Sequence, residues 1–124
     1  EGGAWCGGHP HPHSGWLEGE KPIMPQHAVI MGDMNFDCHS PEYDMFNGPL
    51  SPEYGRVAHR LGFIDSWVAA GHKEQSGKTH PNNPDRIDHC FVSPELSEYI
   101  KTAHVDTDAK GSDHWPLWIE MDFQ

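Results

Sequence analysis

Three short clusters in this chain of 124 residues combine acids, an amide and an imidazole in a way that could act on a phosphate ester. They are Gly32-Asp33-Met34-Asn35, Arg86-Ile87-Asp88 and Gly111-Ser112-Asp113-His114. Hydrolysis at phosphorus needs a group that orients or deprotonates water, donors for the phosphoryl oxygens, and a cation to offset developing charge. Carboxylate and imidazole serve the first need, amide the second, and a further carboxylate can hold the cation.

Side chains so far apart in sequence act together only if rigid elements carry them to one place. Residues 27–31 are short, apolar and β-branched at Val29 and Ile30, with Gly32 permitting a sharp exit, which predicts a buried strand with Asp33 and Asn35 at its carboxyl end. Over residues 86–93, Ile87, His89 and Phe91 alternate with Asp88, Cys90 and Val92, the period of a strand occupied on both faces. Trp115, Leu117, Ile119, Met121 and Phe123 alternate with polar or turn residues, so a last strand should bury them, with Asp113 and His114 just ahead. Ser-Pro-Glu occurs at Ser40, Ser51 and Ser93, each a helix-start signal. The middle one is the strongest, because Tyr54, Val57, Ala58 and Leu61 recur at helical spacing before Gly62. Residues 63–70 stay open between strand and helix, and residues 71–84 read as a loop. Residues 1–25, rich in Gly, Pro and His, read as an irregular arm, leaving residues 26–124 as the folded unit.

Length allows one small domain, and abundant Pro and Gly favour short elements joined by turns over a helical bundle. Nineteen acids against eight Lys and Arg give a net charge of -11, which repels a long nucleic acid tract and suits a hard divalent cation. Cys6, Cys38 and Cys90 are odd in number and widely spaced, so neither a disulfide framework nor a zinc pair can be read from them, and a reducing, cytoplasmic setting is favoured. No apolar run reaches the length of a membrane span, about 18 residues.

The strings IMGDMNFD, TxPxxPxRIDHCFVSPEL and GSDHWPLWIE, in this order over roughly residues 29–119, resemble the later signature blocks of the endonuclease/exonuclease/phosphatase (DNase I-like) superfamily. The resemblance implies an α/β fold, one half of a four-layered αββα sandwich with a mostly antiparallel sheet and flanking helices. It implies that Asp33 orients or activates water, that Asn35 donates to phosphoryl oxygens, and that Asp88 hydrogen-bonds His114. His114 then acts as general base or as donor to the developing charge, and Asp113 binds Mg²⁺ or Mn²⁺. Family members run to about twice this length. Their earlier blocks, including the Glu that is the main metal ligand, have no counterpart here. Trp115, Leu117 and Ile119 should then face a second sheet supplied by an amino-terminal portion or a second subunit. His80 stands where an aromatic residue is usual, and His89 and Cys90 also depart from the pattern.

Each residue also has an ordinary reading. Asp33, Asn35 and Asp113 could be turn residues, Asp88 could pair with Arg86, and Arg86 could hold a loop carbonyl or a phosphate. His9, His11 and His13 alternate with proline and read as a solvated loop before they read as a metal site. Cys38 reads as a small buried thiol. Three functions are therefore carried forward: metal-dependent hydrolysis of a phosphate mono- or diester, with a small phosphorylated molecule or lipid headgroup favoured over a nuclease substrate; a catalytically silent binding or assembly module; and a zinc protein built on His and Cys.

Overall fold

The computed structural model describes Ile23 and residues 25–124. The arm expected over residues 1–25 lies almost wholly outside the described residues. Strand β1 (Val29–Asp33) is followed by helix α1 (Pro41–Asn47), a small hairpin of β2 (Leu50–Ser51) and β3 (Gly55–Arg56), then β4 (Ile64–Asp65) running directly into helix α2 (Ser66–Ala69). Strand β5 (Asp88–Val92), a 3₁₀ helix (Pro94–Tyr99), β6 (Ile100–Val105) and β7 (Leu117–Met121) complete the chain. This is the α/β, antiparallel build expected. β5 is the middle strand of a three-stranded sheet ordered β1-β5-β4, and β6 pairs with β7 in a separate two-stranded sheet. No helix among the described residues is long and apolar enough to cross a membrane.

β5 is buried along nearly its whole length because both its neighbours and both its faces are occupied. On one face His89 and Phe91 join Phe36, Tyr43 and Phe46, with ring centroids 4.7 Å apart between Phe46 and Phe91 and 5.2 Å apart between Phe36 and His89. Cys38, Tyr43 and Phe91 form the core, and Met34, Phe36, Phe46 and Phe63 pack around them. Cys38 is thus a buried thiol, as expected, and burial pushes its pKa up. Just past the end of β4, Ser66 Oγ donates to the Cys90 carbonyl at 2.6 Å and ties the start of α2 to β5.

Two expectations are corrected. The helix expected after Ser51 is a hairpin and a loop. Ser51 Oγ accepts from the N–H groups of Glu53 and Tyr54, which closes a turn, and Gly55 takes φ 74°, outside the helical region. Tyr54 and Leu61, two of the residues at helical spacing, are 80% and 85% exposed. What docks this segment is Arg56, which bonds Asp44, the Gly48 carbonyl and Glu74 and lies 5.0 Å over the Tyr43 ring. Gly48 is required here, since a Cβ would meet the Val57 carbonyl oxygen at 1.9 Å. Charge and hydrogen bonding overrode helical spacing. The second correction concerns β1, which is not buried: Val29 and Met31 are 47% and 63% exposed. It lies at the edge of the sheet, and a continuous apolar run had implied cover on both faces.

The other two Ser-Pro-Glu sites do start helical turns at α1 and at the 3₁₀ helix, although neither serine caps through its side chain. Ser93 Oγ instead accepts from the Ala28 N–H at 2.6 Å and clasps the start of β1 to the end of β5. The last strand keeps its alternation, with Leu117, Ile119 and Met121 half-buried and Trp118 and Glu120 exposed. Phe123 lies beyond the strand and is largely exposed.

Candidate active site

The register of β1 on β5 sets the site. Antiparallel pairing places Asp33 opposite Asp88, so the last residue of one strand and the first of the next hold two carboxylates side by side at one sheet end. The Met34 N–H extends the pairing to the Ile87 carbonyl at 3.0 Å. His114 arrives from the loop before β7. Its Nδ1 lies 2.8 Å from Asp88 Oδ2, and its Nε2 lies 3.7 Å from Asp33 Oδ2. Asp88 thereby directs the Nδ1–H and leaves Nε2 facing Asp33. The hydrogen bond to Asp88 is the chief reason that the His114 pKa lies above the ordinary imidazole range; desolvation opposes it, and the charges of Asp88, Asp33 and Asp113 add to it.

Asn35 follows Asp33 by two residues and adopts φ 54°, the left-handed region that asparagine tolerates better than most residues. Its N–H donates to Asp33 Oδ1 at 3.0 Å, which holds that carboxylate with Oδ2 toward His114. Its side-chain amide makes no hydrogen bond to another described residue. Asp113 is exposed, and its carboxylate likewise accepts no hydrogen bond among the described residues. The structure thus brings Asp33, Asp88 and His114 into one cluster, with Asn35 and Asp113 each adjoining a member in sequence.

Residues 71–84 form a loop, as expected, but a heavily tethered one. The buried Thr79 hydroxyl accepts from the N–H groups of Ile87 and Asp88 at 3.3 and 3.2 Å, and the Thr79 carbonyl accepts from the Trp115 N–H at 2.8 Å. One residue therefore ties the loop to Asp88 on one side and to His114 on the other. Next to it, the His80 ring meets the His114 ring edge to face at 4.8 Å between centroids. His80, Asp113 and His114 each offer a ligand atom, all within 4.8 Å of one another.

Arg86 does not pair with Asp88. It is buried against Asp65, with Nη2 2.6 Å from Asp65 Oδ2, and it also donates to the carbonyls of Ser76 and Glu74. Its Nη1 donates to His89 Nδ1 at 2.6 Å, so His89 must carry its proton on Nε2, which donates to the Phe36 carbonyl at 2.7 Å. Burial, followed by the Arg86 charge, lowers the His89 pKa, in keeping with a neutral ring. Tyr43 Oη completes the network with a bond to Asp65 Oδ2 at 2.6 Å. Sequence reasoning missed Asp65 because the segment around it was ambiguous. Its signal was an acid at the entry to a short helix, where Asp65 Oδ1 accepts from the Trp67 N–H.

A family model described as the Endonuclease/Exonuclease/phosphatase family matches residues 10–114, which include Asp33, Asp88 and His114. A protein of Bacillus subtilis (strain 168) named exodeoxyribonuclease is 27% identical over 118 residues, covering 82% of this chain and 45% of the relative. The chain therefore spans less than half the length of that relative.

Proposed function

We propose, from the premise that this chain belongs to the endonuclease/exonuclease/phosphatase family, that it carries the water-activating part of a metal-dependent phosphoesterase site. The observation that carries this reading is His114, bonded through Nδ1 to Asp88 and turned through Nε2 toward Asp33 at 3.7 Å. Two groups at that separation can both reach one water placed off the line between them at about 2.8 Å from each. Asp33 orients that water. His114 takes its proton at Nε2 or, when protonated, donates to the phosphoryl oxygens, and Asp88 holds the ring for either role. The Asn35 amide supplies a further donor. Asp113 offers an exposed carboxylate, a hard oxygen donor that fits Mg²⁺ or Mn²⁺ alongside water and substrate oxygens. A cation bound there would offset charge on the phosphoryl group.

The net charge of -11 favours a small phosphorylated molecule or a lipid headgroup as substrate. A nuclease reading draws support from the name of the Bacillus subtilis relative. The free, buried Cys38 and Cys90 suit a reducing, cytoplasmic setting. The exposed apolar residues of β1, Val29 and Met31, together with a span under half that of the relative, support a partner surface filled by an amino-terminal portion of the same domain, or failing that by a second subunit.

The test is hydrolysis of a generic phosphodiester and a phosphomonoester by folded protein with Mg²⁺. Turnover lost in EDTA and in His114→Ala supports the reading. Folded protein that shows no turnover at any Mg²⁺ concentration supports a silent binding or assembly module instead.

A further inference from the structure

We propose that His80, Asp113 and His114 form a binding site for a borderline divalent transition ion of the Zn²⁺ class, distinct in its donors from an all-oxygen Mg²⁺ site. Their ligand atoms lie within 4.8 Å of one another. Ligands on a tetrahedral Zn²⁺ stand roughly 3.3–3.6 Å apart at ordinary bond lengths, so closure needs movements of only about an ångström. Asp113 is exposed, and His80 and His114 are half-exposed, so such movements cross no packed core. Two imidazoles and a carboxylate suit Zn²⁺ or Co²⁺, which accept nitrogen, and leave a fourth position for water or an anion.

Two further features show that the geometry is prepared. Asp88 bonds His114 Nδ1 at 2.8 Å, the carboxylate-imidazole arrangement that fixes Nε2 as the ligand atom and raises its basicity toward a metal. The bond from the Trp115 N–H to the Thr79 carbonyl joins the neighbours of His114 and His80, and so holds the two imidazoles together. His80 Nδ1 now accepts from the exposed Asn82 N–H at 3.1 Å; ligation through Nδ1 replaces that bond, and ligation through Nε2 moves the ring proton to Nδ1 and gives the bond up. Ion binding here does not require turnover, but the site shares Asp113 and His114 with the proposed hydrolytic site. Where His114 does serve hydrolysis, the ion occupies its Nε2 and competes with that role.

The experiment uses the full chain, stripped of metal with EDTA and titrated with Co²⁺ and then Zn²⁺. Expected are one Co²⁺ per chain with visible d–d absorption, bleached by Zn²⁺. His80→Phe and the exposed-site variant Asp113→Asn should each weaken affinity about 100-fold or more. Circular dichroism checks that each variant folds, and Asp113→Asn decides the matter if His80→Phe does not fold. A triple substitution of His9, His11 and His13 by Ala should leave the spectrum unchanged. The proposal is overturned if the wild-type chain binds no Co²⁺, if binding survives Asp113→Asn in full, or if only the triple variant loses it. Because the readout is a spectrum, an inactive chain that binds Co²⁺ would leave this proposal standing while the hydrolytic reading fell.

Discussion

Asp88 and His89 are consecutive residues of β5, yet strand alternation sends them into two unlike polar clusters. Asp88 looks out to Asp33 and His114 at a partly exposed sheet end, while His89 looks into a buried network with Arg86, Asp65 and Tyr43. The outer cluster holds few bonds, leaves Nε2 of His114 free to act, and raises the pKa of its histidine. The inner cluster has every polar atom engaged and lowers the pKa of its histidine. Under the proposed function the outer cluster exchanges protons, whereas the inner one fixes the backbone beneath it. Arg86 connects the two, since it anchors the loop that carries Thr79 and His80 and stands two residues from Asp88.

The sharpest way to break this contrast is to truncate each side and read both activity and stability. In protein that turns over a phosphodiester, His114→Ala should cut the rate by about 10²–10⁴-fold, while its urea midpoint stays near that of the wild type. Asp65→Ala strands the Arg86 charge in the interior and should cost about 3–5 kcal/mol of stability, measured by denaturant unfolding. Equal loss of stability in both variants would abolish the distinction. Tyr43→Phe removes one bond to the same buried carboxylate and should cost about 1.5–3 kcal/mol, seen in the same assay.

Asp88→Asn sharpens the contrast on the outer side. With the charge gone, the pH limb assigned to His114 should move to lower pH, visible in the pH profile of kcat/KM or in ring NMR shifts. The smallest effect is in stability against pH, where the two histidines act with opposite sign. His114 binds its proton more tightly when folded, so its contribution is full below about pH 6.5 and is lost as pH rises through the raised folded value. His89 binds its proton less tightly when folded, so stability falls as pH drops from about 6.5 toward the lowered folded value. Unfolding midpoints measured on both sides of neutrality, in wild type and in His114→Asn, should show the alkaline loss disappear in the variant and the acid loss remain.

The residues of the outer cluster were legible in the sequence because each sits in a short motif beside a strand end, and strand periodicity is local information. The same locality made β5 and β7 readable, while the α/β class was implied by the family resemblance of the motifs. It failed at residues 51–62, where helical spacing competed with a turn held by Ser51 and with the distant partners of Arg56, Asp44 and Glu74. Asp65 and Arg86 are separated by 21 residues, and nothing short-range announces a pair that exists only once β4 lies beside β5. His80 looked like a substitution in a loop until the Thr79 and Trp115 backbones joined to set its ring against His114. Residue types and alternation therefore determined which groups could do chemistry and which strands would carry them. Register, burial and long-range pairing, which depend on the whole chain closing at once, decided which groups meet, which protons they hold, and which face of β1 remains open.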